Sequence, residues 1–141
     1  MEDFKVHHSK QLADSPAFDL VLKAKLALLK KGFTDRYNLS DFYEVVYTTE
    51  KNSDKPLGVL VFTYLEDKPV CWIVILWIEP KYRKKGISKL MTTHLKKVLK
   101  KRKEEVLFIE LGTNTRNKRM HKVAQKLNFQ PLWTTFRKDL N

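Results

Sequence analysis

A basic turn between a predicted strand and a predicted helix carries the clearest chemical signal in this sequence. Its residues are Leu76, Trp77, Ile78, Glu79, Pro80, Lys81, Tyr82, Arg83, Lys84, Lys85, Gly86, Ile87 and Ser88. The first backbone N–H groups of a helix lack partners inside the helix, and the helix dipole is positive there, so this geometry suits a phosphate. Gly86 allows the backbone to approach an anion closely. The turn therefore predicts an anion site, with a purely structural turn as the alternative.

The charge distribution supports an anionic partner without identifying it. The net charge is +12, and residues 81–141 hold 18 basic and 4 acidic side chains, whereas residues 1–80 hold 10 basic and 12 acidic ones. A strong positive field concentrates anionic ligands. A nucleotide cofactor, a nucleic acid and an acidic protein surface all remain open, and so does a merely solvated lysine face. Residues 81–103 contain 11 Lys or Arg and no carboxylate, which makes nucleic acid a possible partner of this basic protein.

The elements that position this turn follow from the periodicity of apolar residues. Runs rich in β-branched and aromatic residues predict strands, and apolar residues recurring every three or four positions predict helices. The strands are expected at 4–8, 42–49, 57–65, 70–78, 106–111 and 132–136, and the helices at 16–31, after Pro80, and around 120–127. This order implies a mixed α/β sheet, with an antiparallel meander and one parallel pair, 70–78 and 106–111, joined by the lysine-rich helix.

Three motifs in the second half of the chain occur in a specific order. Arg83-Lys84-Lys85-Gly86-Ile87-Ser88 fits the pattern Arg/Gln-x-x-Gly-x-Gly/Ala, with serine in the last small position. Leu76-x-Ile78-x-Pro80 precedes it, and a segment from Asn117 to Asn128-Phe129 follows it. Together, over roughly residues 57–139, they resemble the GNAT superfamily of acyl-CoA-dependent N-acetyltransferases.

The resemblance implies a fold, a cofactor and a reaction. The fold is α/β (α+β): a mixed, mostly antiparallel sheet with a central splayed parallel strand pair and flanking helices. The chain would be one domain, 1–141, with a variable acceptor-side part, 1–56, and a cofactor-binding core, 57–139. The reaction would be transfer of an acetyl group from acetyl-CoA to a primary amine of a protein or small molecule.

The same resemblance assigns cofactor contacts to individual residues. The cofactor-binding residues implied are Leu76, Trp77, Ile78, Arg83, Lys84, Lys85, Gly86, Ile87, Ser88 and Asn117. Backbone N–H groups of Arg83 to Ser88 would hold the pyrophosphate of acetyl-CoA. The pantetheine would pair like a strand with Leu76 to Ile78, and Asn117 matches a position that contacts the cofactor.

The catalytic acid and base depart from the resemblance. Trp72 stands where many members carry a carboxylate, and Ala124 stands where members often have a tyrosine acid. Glu110 resembles the base position of ribosomal-protein alanine acetyltransferases, and a strand-end glutamate paired with a lysine is the alternative. His121 could protonate the leaving sulfur, or it is an ordinary surface histidine. A degenerate member that binds CoA without catalysis is therefore a third hypothesis beside the enzyme and the nucleic-acid-binding module.

Composition excludes several other classes. The single cysteine, Cys71, rules out an intramolecular disulfide and a zinc site of several thiolates, and the four histidines show no metal-ligand spacing. We therefore expect no metal. No apolar run resembles a signal peptide or a membrane span, so a cytoplasmic location without membrane contact is expected. The sequence leaves a monomer and a homodimer equally open.

Overall fold

The β-branched and aromatic runs form one mixed sheet. The computed structural model describes residues 3–32, 43–102, 106–113, 116–132, 136 and 138–140. Within them, five strands are found: β1, Phe4–Ser9; β2, Glu44–Glu50; β3, Pro56–Tyr64; β4, Val70–Ile78; and β5, Phe108–Leu111. Four of the expected strands thus lie where the sequence analysis placed them, and the fifth is shorter by two residues at its start.

The sheet order is β1-β2-β3-β4-β5, antiparallel except for the last pair. Short turns connect β2 to β3 and β3 to β4, which confirms the antiparallel meander. β4 and β5 run parallel, from the pair Val70 and Phe108 to the pair Ile73 and Leu111. Both the mixed α/β class and the predicted parallel pair are therefore confirmed. β4 continues for five residues beyond this pairing.

Three α-helices flank the sheet in the described residues: α1, Phe18–Lys30; α2, Ile87–Lys100; and α3, Lys118–Lys126. α1 begins two residues later than predicted, because the Ser15 hydroxyl accepts a hydrogen bond from the N–H of Ala17 at 3.0 Å and forms a turn first. The helix therefore starts from Ala17 as its N-cap. Gly32 follows the helix with φ +69°, as the predicted left-handed end requires.

Each face of the sheet has its own hydrophobic cluster. On one face, Phe62 and Leu60 of the sheet contact the buried Ile87, Met91 and Leu95 of α2. Val59, Val61 and Ile75 point the other way and pack against Val21 and Ala24 of α1. Burial of each large side chain contributes roughly 1.5–3 kcal/mol. α1 and α2 are thereby held on opposite faces.

A β-bulge interrupts β4 at Val74. Val61 of β3 pairs with Ile75, while the next residue, Phe62, pairs with Ile73, so Val74 is an extra residue on β4. As a result, Val74 and Ile75 both pack with the α1-side cluster instead of alternating between faces. Such bulges bend a strand and often occur beside functional sites.

Some expectations fall on residues outside the described part. The predicted last strand, 132–136, is described only at Leu132 and Phe136, and Phe42 is also outside. No described helix is long and apolar enough to cross a membrane. The division into parts 1–56 and 57–139 stays a prediction.

Cys71 fills a small space in the core, as the sequence suggested. Its side chain is fully buried among the α2-side cluster. Burial raises the pKa of the Cys71 thiol to about 12, and the nearby Glu44 carboxylate acts in the same direction. A thiol that stays protonated is a poor nucleophile.

His94 on α2 gives the fold a pH dependence. Burial lowers the pKa of His94, and the nearby basic side chains act in the same direction: His8 and His7 of β1, and Lys97 and Lys101 of the helix end. Near and below pH 6.5 the unfolded chain therefore binds more protons than the folded one, so stability falls as the pH decreases. We expect His94→Gln to reduce this loss by less than about 1 kcal/mol, since solvent screens the partly exposed ring. Urea unfolding of the wild type and of His94→Gln at pH 8 and pH 5.5 measures the loss of stability on acidification. An equal loss in the two proteins would show that His94 does not cause it.

Candidate active site

The chain curls tightly between β4 and α2. β4 ends at Ile78, a single 3₁₀ turn spans Pro80–Tyr82, and α2 begins at Ile87. Lys84 has φ +66° and Gly86 has φ +81°, so the backbone visits the left-handed region twice within three residues. Glycine adopts this conformation at no steric cost, whereas lysine is strained by it. Alternation of this kind turns successive N–H groups towards one concave side, which makes an anion-binding nest.

Six consecutive N–H groups of this turn have no acceptor among the described residues. They belong to residues 84–89, and the first helical bond is donated by Leu90 to the Gly86 carbonyl at 3.1 Å. A Cβ atom added to Gly86 would meet nothing within 4 Å, so the turn opens to solvent. A diphosphate fits such a site because it can accept several hydrogen bonds at the positive end of the helix.

Arg83 fastens the turn to the end of β4. Its Nε donates to the Ile78 carbonyl at 2.9 Å, and its guanidinium lies 5.3 Å from the centre of the Trp77 ring. Lys84, Lys85 and Gly86 are exposed, Ser88 is partly exposed, and Ile87 is buried under the sheet. The structure thus brings the predicted turn residues together with the predicted segment Leu76–Ile78. Because the Ile87 side chain is buried, this residue can contact a ligand only through its backbone.

A polar cluster beside this turn was missed by sequence reasoning. Lys23 of α1 forms an ion pair with Glu79 at 2.9 Å and lies 6.0 Å from the centre of the Trp77 ring. Tyr82 donates a hydrogen bond to Glu50, and this bond raises the pKa of the Tyr82 hydroxyl. The ammonium groups of Lys81 and Lys85 lie over the Tyr82 ring. No local pattern could have revealed these contacts, because Lys23 and Glu79 are 56 positions apart.

The second half of β4 forms one wall of a gap. Beyond Ile73, no described strand pairs with β4 on the side of β5. Leu76 and Ile78 direct their side chains to the α2-side cluster, and half-buried Trp77 faces α1. This strand edge extends for about 15 Å at the usual rise per residue and leads to the turn at Arg83–Ser88. An extended chain attached to a phosphate group fits this path.

Glu110 lies where the two parallel strands begin to separate. Its register partner is Trp72, one residue before the last paired position. Ile109 and Leu111 pack with the α2-side cluster, so Glu110 faces the α1 side. It is partly exposed and makes no ion pair with any described residue. The alternative interpretation, a glutamate paired with a lysine, is therefore not seen in the described part of the chain.

Asn117 and His121 occupy the first turns of α3. The Asn117 side chain caps the helix by accepting a hydrogen bond from the Met120 N–H at 3.2 Å. Its side-chain NH₂ group remains to act as a donor. His121 is exposed one turn later, and Ala124 is partly buried. The roles of Asn117 and His121 towards a ligand stay predictions.

The loop 32–41 and the turn 131–133 are the parts of the sequence expected to contact the acceptor amine. Their candidate residues, Arg36, Tyr37, Asp41 and Trp133, lie outside the described residues. No described group of three His, Cys, Asp or Glu side chains has an arrangement suited to a metal ion.

Comparisons with known proteins identify the family of this chain. A family model described as "Acetyltransferase (GNAT) family" matches residues 15–129. A search of curated protein sequences gave no significant match. Among solved structures, an aminoglycoside acetyltransferase, meta-AAC0020, from an uncultured soil metagenomic sample is similar, with 15% identity, a TM-score of 0.68, and coverage of 99% of this chain and 97% of that one.

Two further structures show the same likeness. The ribosomal-protein-alanine N-acetyltransferase of Brucella melitensis biovar Abortus 2308 has 14% identity and a TM-score of 0.66, over 99% of this chain and 100% of that one. AAC(6')-Iy, solved with the bisubstrate analog CoA-S-monomethyl-acetylneamine, has 16% identity and a TM-score of 0.56, over 96% and 98%. At these identities the similarity establishes the fold alone.

Proposed function

The chain belongs to the GNAT acetyltransferase family, and from this we propose that it transfers an acetyl group from acetyl-CoA to a primary amine of a protein or small molecule. The observation that carries the proposal is the run of N–H groups at residues 84–89, which have no acceptor among the described residues and open to solvent beside three basic side chains.

The turn binds the pyrophosphate in this proposal. Backbone N–H groups from Lys84 to Ser88 donate to the phosphate oxygens, and Lys84 and Lys85 supply charge. Arg83 already donates to Ile78 through Nε, so its main contribution is to hold the turn in its curled form, with the other guanidinium nitrogens left to meet the phosphate.

The edge of β4 orients the rest of acetyl-CoA, which supplies the activated acetyl group. The backbone of Leu76, Trp77 and Ile78 pairs with the pantetheine, and an N–H group of this segment polarises the thioester carbonyl. The side-chain NH₂ of Asn117 adds a contact from α3. Fixing the thioester beside the amine contributes much of the rate, because it removes the entropy cost of bringing two reactants together.

Glu110 accepts the proton that the ammonium form of the acceptor must lose, directly or through water. The amine nitrogen then bonds to the carbonyl carbon and the carbon–sulfur bond breaks. His121 protonates the leaving thiolate in this scheme. Because Glu110 faces the α1 side of the sheet, the acceptor approaches from that side, where the variable first part of the chain lies.

The acceptor class stays open between two kinds of amine. One similar structure is of an aminoglycoside acetyltransferase bound to sisomicin, and another is of a ribosomal-protein-alanine N-acetyltransferase. A cytoplasmic location fits the single free cysteine. Both a monomer and a homodimer are compatible with this site.

Calorimetric titration tests the first step. We expect acetyl-CoA to bind, and acetyl-pantetheine, which lacks the pyrophosphate, to bind at least roughly 100-fold more weakly because two or more charge-assisted hydrogen bonds are lost. A thiol-release assay then tests acetyl transfer, with sisomicin and with a peptide that begins with alanine as acceptors. A folded sample that gives no heat with acetyl-CoA, or equal affinity for both thioesters, would overturn the proposal.

A further inference from the structure

The solvent-facing side of α2 carries a row of lysines. Lys89, Lys96 and Lys100 fall within about 40° of one another around the helix at 3.6 residues per turn. All three are exposed, and so is Lys97 beside them. Ile87, Met91 and Leu95 lie on the opposite, buried side. These three lysines extend over about 17 Å along the helix, whereas Lys101 lies about 120° round the helix from Lys89 and outside this face. We call Lys89, Lys96, Lys97 and Lys100 the lysine row.

No carboxylate neutralises this surface within the described residues. The two arginines of residues 81–103 make other contacts. Arg83 donates a hydrogen bond to the Ile78 carbonyl, and Arg102 forms an ion pair with the buried Glu44 at 3.1 Å. By contrast, all four members of the lysine row are exposed and form no ion pair with a described residue. Their mutual repulsion is unfavourable, so a polyanion that bridges them gains binding energy.

We propose that the lysine row binds the phosphate backbone of a nucleic-acid duplex without reading its sequence. A duplex presents about one negative charge per 1.7 Å of axis, so the three aligned lysines, which span about 17 Å, face several phosphates at once. Release of condensed counterions from the duplex drives such binding. Lysine supplies point charges suited to this contact, whereas base-specific recognition relies more on arginine, asparagine and glutamine.

The composition of the face favours a duplex over two other polyanions. The other exposed side chains of α2 are Thr93 and Leu90, so no exposed aromatic ring is available on which an unpaired base could stack. A protein partner usually needs a cluster of Trp, Tyr or Arg anchors, and one leucine does not form one. An acidic protein is therefore an outcome that the test must exclude.

Most of the lysine row lies away from the proposed acetyl-CoA site. Lys96 lies about 15 Å along the helix from Gly86, and Lys100 about 21 Å, whereas Lys89 lies about 5 Å from it. Saturating acetyl-CoA should therefore remove at most the Lys89 contact and reduce the magnitude of the salt slope by no more than about 0.9. The two proposals fail independently: a protein that binds no acetyl-CoA can still bind a duplex, and the reverse also holds.

Fluorescence anisotropy with a labelled 24-base-pair duplex DNA, titrated between 50 and 200 mM NaCl, tests the proposal on the full chain. For four neutralised phosphates the slope of log K against log salt is about −3.6, so affinity should fall roughly 150-fold over this range. Lys96→Gln with Lys100→Gln should reduce the slope to about −1.8. Both sites are exposed and glutamine is a good helix former, so the variant should fold.

The matched control removes two lysines from the other side of the sheet. Lys30→Gln with Lys31→Gln changes the same charge at the exposed end of α1 and should keep most of the slope. Duplex RNA of equal length forms the second arm, and binding of either duplex supports the proposal. No binding of either duplex at 50 mM, equal losses in both double variants, or competition by polyglutamate as strong as by unlabelled duplex would each overturn it.

Discussion

Gly86→Glu is expected to abolish measurable binding of acetyl-CoA while the fold persists. A Cβ atom at this position meets no protein atom within 4 Å, so the longer side chain can extend into the open side of the turn where we propose that the pyrophosphate binds. Its carboxylate also opposes the negative phosphates at the helix N-terminus. Loss of two charge-assisted hydrogen bonds of ~1.5 kcal/mol each corresponds to at least roughly a 100-fold rise in Kd. Calorimetric titration measures this rise.

A second variant separates charge from backbone strain. Any non-glycine residue at φ +81° is strained, and Asn tolerates this conformation best. Gly86→Asn should therefore raise Kd much less than Gly86→Glu, and thermal unfolding should show both variants folded. An unchanged Kd in Gly86→Glu would mean that the phosphate binds elsewhere.

Glu110→Gln is expected to reduce turnover by roughly 10²- to 10⁴-fold, the usual contribution of a general base. The amide keeps the size of the side chain but cannot take a proton from the ammonium group. Because Glu110 lies at the narrow end of the gap and not at the turn, the Kd for acetyl-CoA should change less than threefold. A thiol-release assay together with calorimetry measures both quantities.

Glu66→Gln provides the matched control. Glu66 is an exposed glutamate in the turn between β3 and β4, at the end of β4 away from the acetyl-CoA turn. Its variant should retain wild-type turnover. Wild-type turnover in Glu110→Gln would assign proton removal to another group. A rise in the Kd for acetyl-CoA without a fall in kcat would make Glu110 a binding residue.

Local sequence patterns were sufficient for most of the fold. The β-branched and aromatic residues of β3 predicted a strand. The three- and four-residue spacing of Ile87, Met91 and Leu95 predicted a helix that buries one side. The ends of the strands were predicted less exactly. The start of α1 was also predicted two residues too early, because the Ser15 hydroxyl competes with the first helical turn. The turn at Arg83–Ser88 was also found from sequence, because its composition reflects a local backbone requirement.

What the sequence by itself determined is the order of elements and the place of the basic turn, since both depend on neighbouring residues. The parallel pair followed from that order, because a helix that connects two strands of one sheet favours parallel strands. Only the tertiary structure decided that β4 bulges at Val74, that Lys23 reaches Glu79, and that Glu110 faces the α1 side. These features depend on strand register and on packing between residues far apart in the chain. One position of register reverses the face of every side chain on a strand, and no local pattern fixes that choice.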